Sequence, residues 1–531
     1  MKLFFRLICI VITFFLSSTA IAQFGKTPPF QLQIQAVNGT NLPGFHSFSF
    51  AQAGDKWLFI GGRTNGLHGL NSNDGFPPEH RNNEVIVIDT NSWNFYAASL
   101  DQLPATIADP MRSTNMQYIQ QGDYLYMTGG YGYDSIQEGD VTFPTITAIH
   151  IQKMIDAVIH SKPILPAIRQ QVDTNLRICG GELAKLGNDY YLMFGHNFNG
   201  RYDSKPSVLF SQVYSNCIKK FNLTDNGNVL SLTNFSMLED TIHFHRRDLT
   251  VAPVVKPDGS FAVGAYGGVF KKNANMPYLE PIVLSAQGTT DVKSYQQVMS
   301  QYTCATIPVF DATTKNMYTT FLGGISLHDY DINTKTLKRD TLLPFINDVT
   351  TLTHYANGTM EETILPLQLP GLLGSNAKFI LNKTAASYSN EVIDLKQISG
   401  TTHIGYMVGG IKAQAGNFGT SAANNIIYRV YLTPSSANGI NESALVAYLN
   451  LYPNPVSAEG QASLEFTLKQ SCNMRIRLMD VTGKEIHVFL NTYLSAGRQR
   501  ISIDAGNFSP GFYLCELEGN GLKSTQRLLI Q

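Results

Sequence analysis

This sequence predicts an all-β protein built from a repeated four-stranded unit, followed by a separate small β-sandwich. Three observations carry that reading. Only 15% of the 531 residues are charged, while Gly (44), Tyr (25) and Phe (30) are plentiful, a balance that favours strands over salt-bridged helices. An apolar strand ending in a glycine pair recurs at intervals of about seventy residues. Beyond Pro434-Ser435-Ser436 the composition changes to a compact run of short alternating strands. The 43% hydrophobic content excludes a disordered chain, and 39 Lys+Arg against 40 Asp+Glu give no electrostatic footprint for nucleic acid.

The first element is an address. Lys2 and Arg6, the apolar run Leu7 to Leu16, and Ala20-Ile21-Ala22 before Gln23 predict a cleavable secretory signal over residues 1–22. The run is half the ~20 residues a spanning helix needs, and no later stretch is long and apolar enough, so no membrane span is expected. Removing the signal takes Cys9 and leaves Cys179, Cys217, Cys304, Cys472 and Cys515. An odd, sparse set is no disulfide framework. These read as buried free thiols, with Cys472 and Cys515, both in the C-terminal module, as the one pair considered for a bridge.

The repeat comes next. Its copies end at Gly61-Gly62, Gly129-Gly130, Gly195-His196, Gly267-Gly268, Gly323-Gly324 and Gly409-Gly410. Ahead of each lies another strand, opening at His46, Thr114, Gly180, Asp248, Thr303 and Glu391. Alternating strands follow, such as Asn83 to Thr90, Asn216 to Leu223 and Asn424 to Leu432, and often a fourth, such as Ser92 to Ala98 or Thr336 to Leu343. Four antiparallel strands per unit, each unit burying a face against the next, is the physics of a propeller blade. Phe30 to Gln35 alternates with a strict period of two and is expected to be the outer strand of the last blade, closing the ring and removing an edge. Residues 151–160 read as a short helix, and 344–390 as a long excursion outside the scheme.

These residues resemble the kelch-repeat β-propeller family, most clearly in His46-Ser47, Trp57 to Gly62, and Asn83 to Asp89 with Trp93. The resemblance implies a propeller over residues 23–434 with six blades; the degenerate match leaves seven open. After a linker at 435–445, residues 446–531 carry Leu451 to Val456, Arg475 to Lys484 and Gly511 to Leu514 in an order similar to the type A C-terminal sorting domain of the type IX secretion system, known from Bacteroidota. That resemblance implies an immunoglobulin-like β-sandwich handled by the type IX machinery, and a protein secreted or held at the outer-membrane surface.

Propeller ligands meet the loops around the central channel. The polar residues near the starts of the inner strands are His46, Arg112 with Asn115, Glu182, Arg247 with Asp248, and Glu391, and these form the candidate ligand-binding set. Arginines converging there can hold a carboxylate by paired hydrogen bonds; the competing reading makes them ties between blades. No catalytic residue, metal or cofactor is assigned. His243 and His245 on one strand face supply two ligands without a third, Tyr302-Thr303-Cys304 lacks the surroundings of a copper-radical oxidase, Glu361-Glu362 has no partner, and Asn71 to Gly75 reads as a turn. The favoured function is a binding or adhesion protein for a glycan or another extracellular protein. The rival is an enzyme on a small acidic sugar, by analogy with the kelch-fold sialic acid mutarotases, using Arg112, Arg247 and Glu182.

Overall fold

The computed structural model describes residues 25–531 except 39, 70–74, 204–209, 289, 418, 436–445, 481–482 and 521. The expected signal at 1–22, all but Gly75 of the expected turn at 71–75 and nearly all of the expected linker lie outside the described residues. The chain divides into two compact units, Met1–Pro434 and Ser435–Gln531. No helix among the described residues is long and apolar enough to cross a membrane.

In the first unit, six antiparallel sheets follow one another among the described residues. From the inside outward, the first is Ser49–Ala53, Lys56–Ile60, Glu84–Asp89, Phe95–Ser99, and the second Gln117–Gln121, Tyr124–Thr128, Thr145–His150, Ile168–Val172. The third is Glu182–Leu186, Asp189–Met193, Cys217–Asp225, Leu230–Glu239, and the fourth Thr250–Val255, Phe261–Tyr266, Ile282–Ser285, Thr290–Val292. The fifth is Ala305–Asp311, Asn316–Ile325, Phe345–His354, Met360–Gln368. The sixth runs Ala377–Leu381, Thr402–Gly409, Tyr428–Pro434 and takes its outer strand, Phe30–Ala36, from the other end of the unit. That strand pairs in unbroken register from Phe30 opposite Pro434 to Ala36 opposite Tyr428, as its period of two requires.

Apolar side chains fill the spaces between neighbouring sheets, for instance Leu58 and Val85 against Leu125 and Met154, or Ile307 and Val349 against Ile404 and Val430. The last space joins the sixth sheet to the first, with Val408 and Ile427 packed on Phe48 and Phe59. The ring is therefore closed by the same contacts that build it: a β-propeller. The helix Ile151–Ile159 buries Ile151, Met154, Ile155 and Val158 in the first of these spaces.

The glycine pairs act between sheets. The second glycine donates its N–H to a carbonyl just ahead of the next inner strand: Gly62 to Ser113 (2.8 Å), Gly130 to Ile178 (2.9 Å), Gly324 to Leu373 (2.9 Å) and, from last sheet to first, Gly410 to Phe45 (3.0 Å). At Gly62, φ is +84° and a Cβ would stand 2.2 Å from the His46 carbonyl oxygen, so only glycine fits. In the third sheet the bond to Arg246 comes from Gly195 (2.9 Å), and Phe194, with φ +61°, stands in for the first glycine. The degenerate pair is Phe194-Gly195, not Gly195-His196.

Three other readings are corrected. The excursion 344–390 supplies both outer strands of the fifth sheet and the innermost strand of the sixth. The segment at Thr336 belongs to an inserted hairpin, His328–Asp331 with Thr336–Arg339. Glu391 does not open an inner strand; the stretch after it contributes only Ile393–Asp394, parallel to the inner strand of the fifth sheet.

The second unit has seven strands in two sheets: Val446–Tyr452, Gln461–Leu468 and Gly497–Asp504 in one, and Glu485–Leu494, Cys472–Met479, Gly511–Gly519 and Leu522–Ile530 in the other. Leu464, Phe466, Ile476, Leu478 and Leu517 share one core, giving the expected sandwich. Cys472 and Cys515 are free, buried thiols: Cys515 faces Leu478, at the far end of the strand from Cys472, beyond disulfide reach.

Candidate functional site

Six residues in the left-handed conformation stand at equivalent positions just ahead of the inner strands: Ser47 (φ 54°), Asn115 (54°), Gly180 (62°), Asp248 (51°), Thr303 (51°) and Asn376 (55°). Backbone bonds link neighbours, from Asn115 N to Ser47 O (3.3 Å), Gly180 N to Asn115 O (2.9 Å) and Asp248 N to Gly180 O (2.7 Å). Asn115 Nδ2 also donates to Asp248 Oδ1 (3.1 Å), reaching past the third sheet. These residues form a collar with one cavity on each side of it.

At five of the six collar positions the residue before it forms an isolated bridge with the residue after a glycine pair or, in the third sheet, after Phe194-Gly195: His46 with Arg63, Thr114 with Tyr131, Cys179 with His196, Arg247 with Val269, Tyr302 with Ile325. All ten line the larger cavity, of about 320 Å³. Hairpins begin directly beyond several glycine pairs and raise its wall; Phe198, Tyr202 and Gln212 come from the one spanning His196–Gly200 and Phe210–Tyr214. Aromatic rings dominate that wall. Phe76 stacks on His68 (4.3 Å) and meets Tyr131 edge-on (5.4 Å), and Tyr131 meets Phe198 in the same way (5.2 Å).

The charges here are unequal. Arg63 is 4% exposed, donates to Asn65 Oδ1 (3.1 Å) and Pro77 O (2.8 Å), and lies 5.4 Å from the Phe76 ring centre. It forms no ion pair among the described residues, and burial lowers its pKa to about 10. Arg247 pairs with Asp248, which outweighs burial and raises its pKa; its Nε is buried without a hydrogen-bond partner among the described residues. Burial, reinforced by Arg63, lowers the pKa of His46 to about 3, and burial beside Arg247 keeps His196 neutral too. The mouth thus offers aromatic faces, neutral imidazoles and two guanidinium groups.

Of the residues expected from the sequence, His46, Asn115, Arg247 and Asp248 meet at this mouth. Glu182 and Glu391 line the smaller cavity, about 200 Å³, on the other side of the collar. There Glu182 accepts from Lys378 (3.4 Å), joining the third sheet to the sixth, and outweighs burial to raise the lysine's pKa. Arg112 lines neither cavity. It is buried and bonded to Asn83 Oδ1 (2.6 Å), Asp101 Oδ1 (2.6 Å) and Asp109 Oδ1 (3.0 Å), a tie between the first sheet and the connection to the second. Three positions ahead of its collar residue, it points away from the axis, whereas Arg247 is one position ahead. The sequence reading passed over Arg63 and Tyr131, although each directly follows a glycine pair, and took His196 for the second member of such a pair rather than the residue after one.

The weaker candidates disperse. His243 and His245 lie in a turn, bonded to Asp240 Oδ2 (2.7 Å) and Asn216 Oδ1 (2.7 Å). Glu361 takes the Tyr355 hydroxyl (2.5 Å), while Glu362 is buried on the Val298 and Met299 N–H groups. Cys304 sits on Thr250 Oγ1 (3.8 Å).

Residues 450–531 match a family described as the secretion system C-terminal sorting domain. The tail is a type IX sorting domain. The protein is therefore exported by the type IX route, to the cell surface or the medium. No curated protein matches the chain. Among solved structures, YjhT is 12% identical, with 73% of this chain and 95% of that one covered at a TM-score of 0.40. A luciferin-regenerating enzyme is 11% identical, covering 60% and 90% at 0.24. PorZ of Porphyromonas gingivalis, described as an essential bacterial surface component of the type IX secretion system, is 10% identical, covering 93% and 76% at 0.14. With these TM-scores below 0.5, the fold assignment rests on the strand pairing itself.

Proposed function

We propose that this is a surface or released binding protein whose axial mouth holds the end of a glycan. The signal at 1–22 takes the chain across the inner membrane, and the sorting domain takes it across the outer one. The observation that carries the reading is the 320 Å³ mouth, whose aromatic wall suits the faces of a sugar ring while Arg63 and Arg247 offer hydrogen-bond donors to its oxygens. Collar residues Ser47, Asn115, Asp248, Thr303 and Asn376 line its inner end. A flat protein surface would leave such a recess unfilled, which favours the glycan over an extracellular protein. Against the enzyme reading stands the separation of the groups it needs: Glu182 lies beyond the collar from Arg247, and Arg112 is held in a structural ion pair.

A glycan array probed with the full mature chain, followed by calorimetry on the best binder, tests this. Arg247→Ala should weaken binding roughly tenfold to a hundredfold, the scale of a desolvated charged hydrogen bond, and Tyr202→Ala roughly tenfold, the scale of a lost aromatic contact. Glycan binding indifferent to both substitutions, or no glycan bound at all, would overturn it.

A further inference from the structure

A second recess of the first unit lies away from the axis. A groove of about 530 Å³ is cut into the third sheet, between its outer strands, the base of the hairpin at 196–214 and the connection at 174–178. It shares no lining residue with the mouth. Strand alternation explains how one hairpin serves both: His196, Phe198 and Gln212 face the mouth, and Asn197 and Val213 face the groove. On the sheet, Lys219 pairs with Met237 and Cys217 with Glu239 in register, which places all four on the groove face.

Three side chains of this lining, Arg177, Asn197 and Ser215, each bury a polar atom with no hydrogen-bond partner among the described residues. Arg177 is held at its backbone by the bond to Thr174 O (3.3 Å) and by its buried neighbours Leu176 and Ile178. Its guanidinium has no hydrogen bond or ion pair among the described residues, and Nε is buried. Arg112, Arg169 and Arg247, by contrast, each sit on a carboxylate. The side-chain oxygen of Asn197 is likewise buried without a hydrogen-bond partner among the described residues. A buried donor and a buried acceptor left open in one groove are each costly unless something supplies the complement. Lys219, donating to Asn175 O (2.6 Å), adds a second cation against the single Glu239. Val213 and Met237, 62% and 58% exposed, give the groove an aliphatic rim.

We propose that this groove binds an acidic peptide segment of a partner protein. A carboxylate of the segment takes the Arg177 fork, a peptide N–H meets Asn197, and an adjacent aliphatic side chain packs on Val213 and Met237. The rim favours peptide over polysaccharide, because it is aliphatic and adaptable; the groove's one aromatic ring, Tyr214, is stacked on His245 at 3.9 Å.

The test is a random-peptide phage library panned against the immobilised full mature protein, with oligogalacturonate as a parallel probe. Enriched peptides should carry Asp or Glu next to an aliphatic residue, and synthetic copies should bind at least tenfold more weakly to Arg177→Gln. Met237→Asp, at an exposed site that does not threaten folding, should repel them equally, and melting of both variants should match the parent. Enrichment without acidic residues, binding unchanged in both variants, no enrichment, or binding of oligogalacturonate alone would each overturn the proposal. None of these outcomes bears on the axial mouth, which both substitutions leave untouched.

Discussion

Gly62→Ala and Gly54→Ala are the same chemical change made in the same sheet, and their costs should differ severalfold. Both glycines have positive φ, +57° at Gly54 and +84° at Gly62, so both variants meet the left-handed strain of roughly 1–2 kcal/mol. At Gly54, in a hairpin turn, the new Cβ meets nothing within 4 Å, and about 1 kcal/mol is the whole expected effect. At Gly62 the Cβ would stand 2.2 Å from the His46 oxygen and 3.1 Å from the Phe48 nitrogen; these are backbone atoms, which cannot swing aside. Relief requires moving the bridge between His46 and Arg63 and lengthening the 2.8 Å bond to Ser113. That adds about 1 kcal/mol for the bond and roughly 1–3 kcal/mol for overpacking, giving about 3–6 kcal/mol in total. Urea unfolding followed by tryptophan fluorescence is the assay, because the chain's two tryptophans, Trp57 and Trp93, both lie in the first unit and the signal is blind to the sorting domain. If the two variants unfold within about 0.5 kcal/mol of each other, the glycine pairs are turn residues and nothing more.

Other expectations follow from the same contacts. Arg112→Ala should lower stability by about 3–5 kcal/mol, because it strands the buried Asp109 carboxylate, and should leave binding at the axial mouth unchanged; thermal melting and calorimetry separate the two effects. Starting the mature chain at Asn38 removes Phe30, 2% exposed and edge-on to Tyr318 at 5.6 Å, and should promote aggregation through the bared edge of Tyr428–Pro434, seen as light scattering on mild heating. Deleting residues 436–531 should leave a folded propeller that no longer reaches the surface or medium, checked by fractionation. Burial raises Glu362 to about 7, above the ordinary carboxyl value, so the folded state holds its proton more tightly. Stability should therefore fall as pH rises from about 4.5 to 7, by about 3 kcal/mol at most, and Glu362→Gln should flatten that slope in urea titrations at stepped pH.

Much of the ring was legible because its signals are local. A glycine pair with φ near +60° and +90° marks the end of a second strand wherever it occurs, and Phe30 to Gln35 alternates cleanly enough to declare one buried face. The errors arose where local pattern is shared by different elements. Thr336–Arg339 alternates like an outer strand but pairs within an inserted hairpin, and nothing in four residues says which partner they find. The excursion hid three strands because Pro344, Pro366 and Pro370 read as breakers, although a proline is tolerated near a strand's end or at its irregularities; Pro366 lies where the register of Met360–Gln368 shifts. The mouth was half legible. Position relative to the collar decides whether an arginine faces the axis, and Arg112 and Arg247 looked alike until the collar residues were known. Arg63 followed a visible glycine pair, yet its counterparts are Tyr131, His196, Val269 and Ile325, so no chemical repeat drew attention to the site.

The strand Phe30–Ala36 has a meaning for how the protein comes into being. Its partner, Tyr428–Pro434, is about 400 residues away along the chain, and bringing such distant ends together costs about 5 kcal/mol of loop entropy before any pairing rewards it. Five sheets can form from contiguous chain as it emerges; the sixth must wait for the end of the unit. Until then the first sheet presents Phe48 and Phe59, and the fifth presents Ile307 and Val349, with no neighbour to cover them. For an exported protein this places the commitment to a closed ring late, just before the sorting domain begins. A chain arrested anywhere earlier is an open arc with two sticky faces, the form that holding factors and proteases would distinguish from the finished molecule.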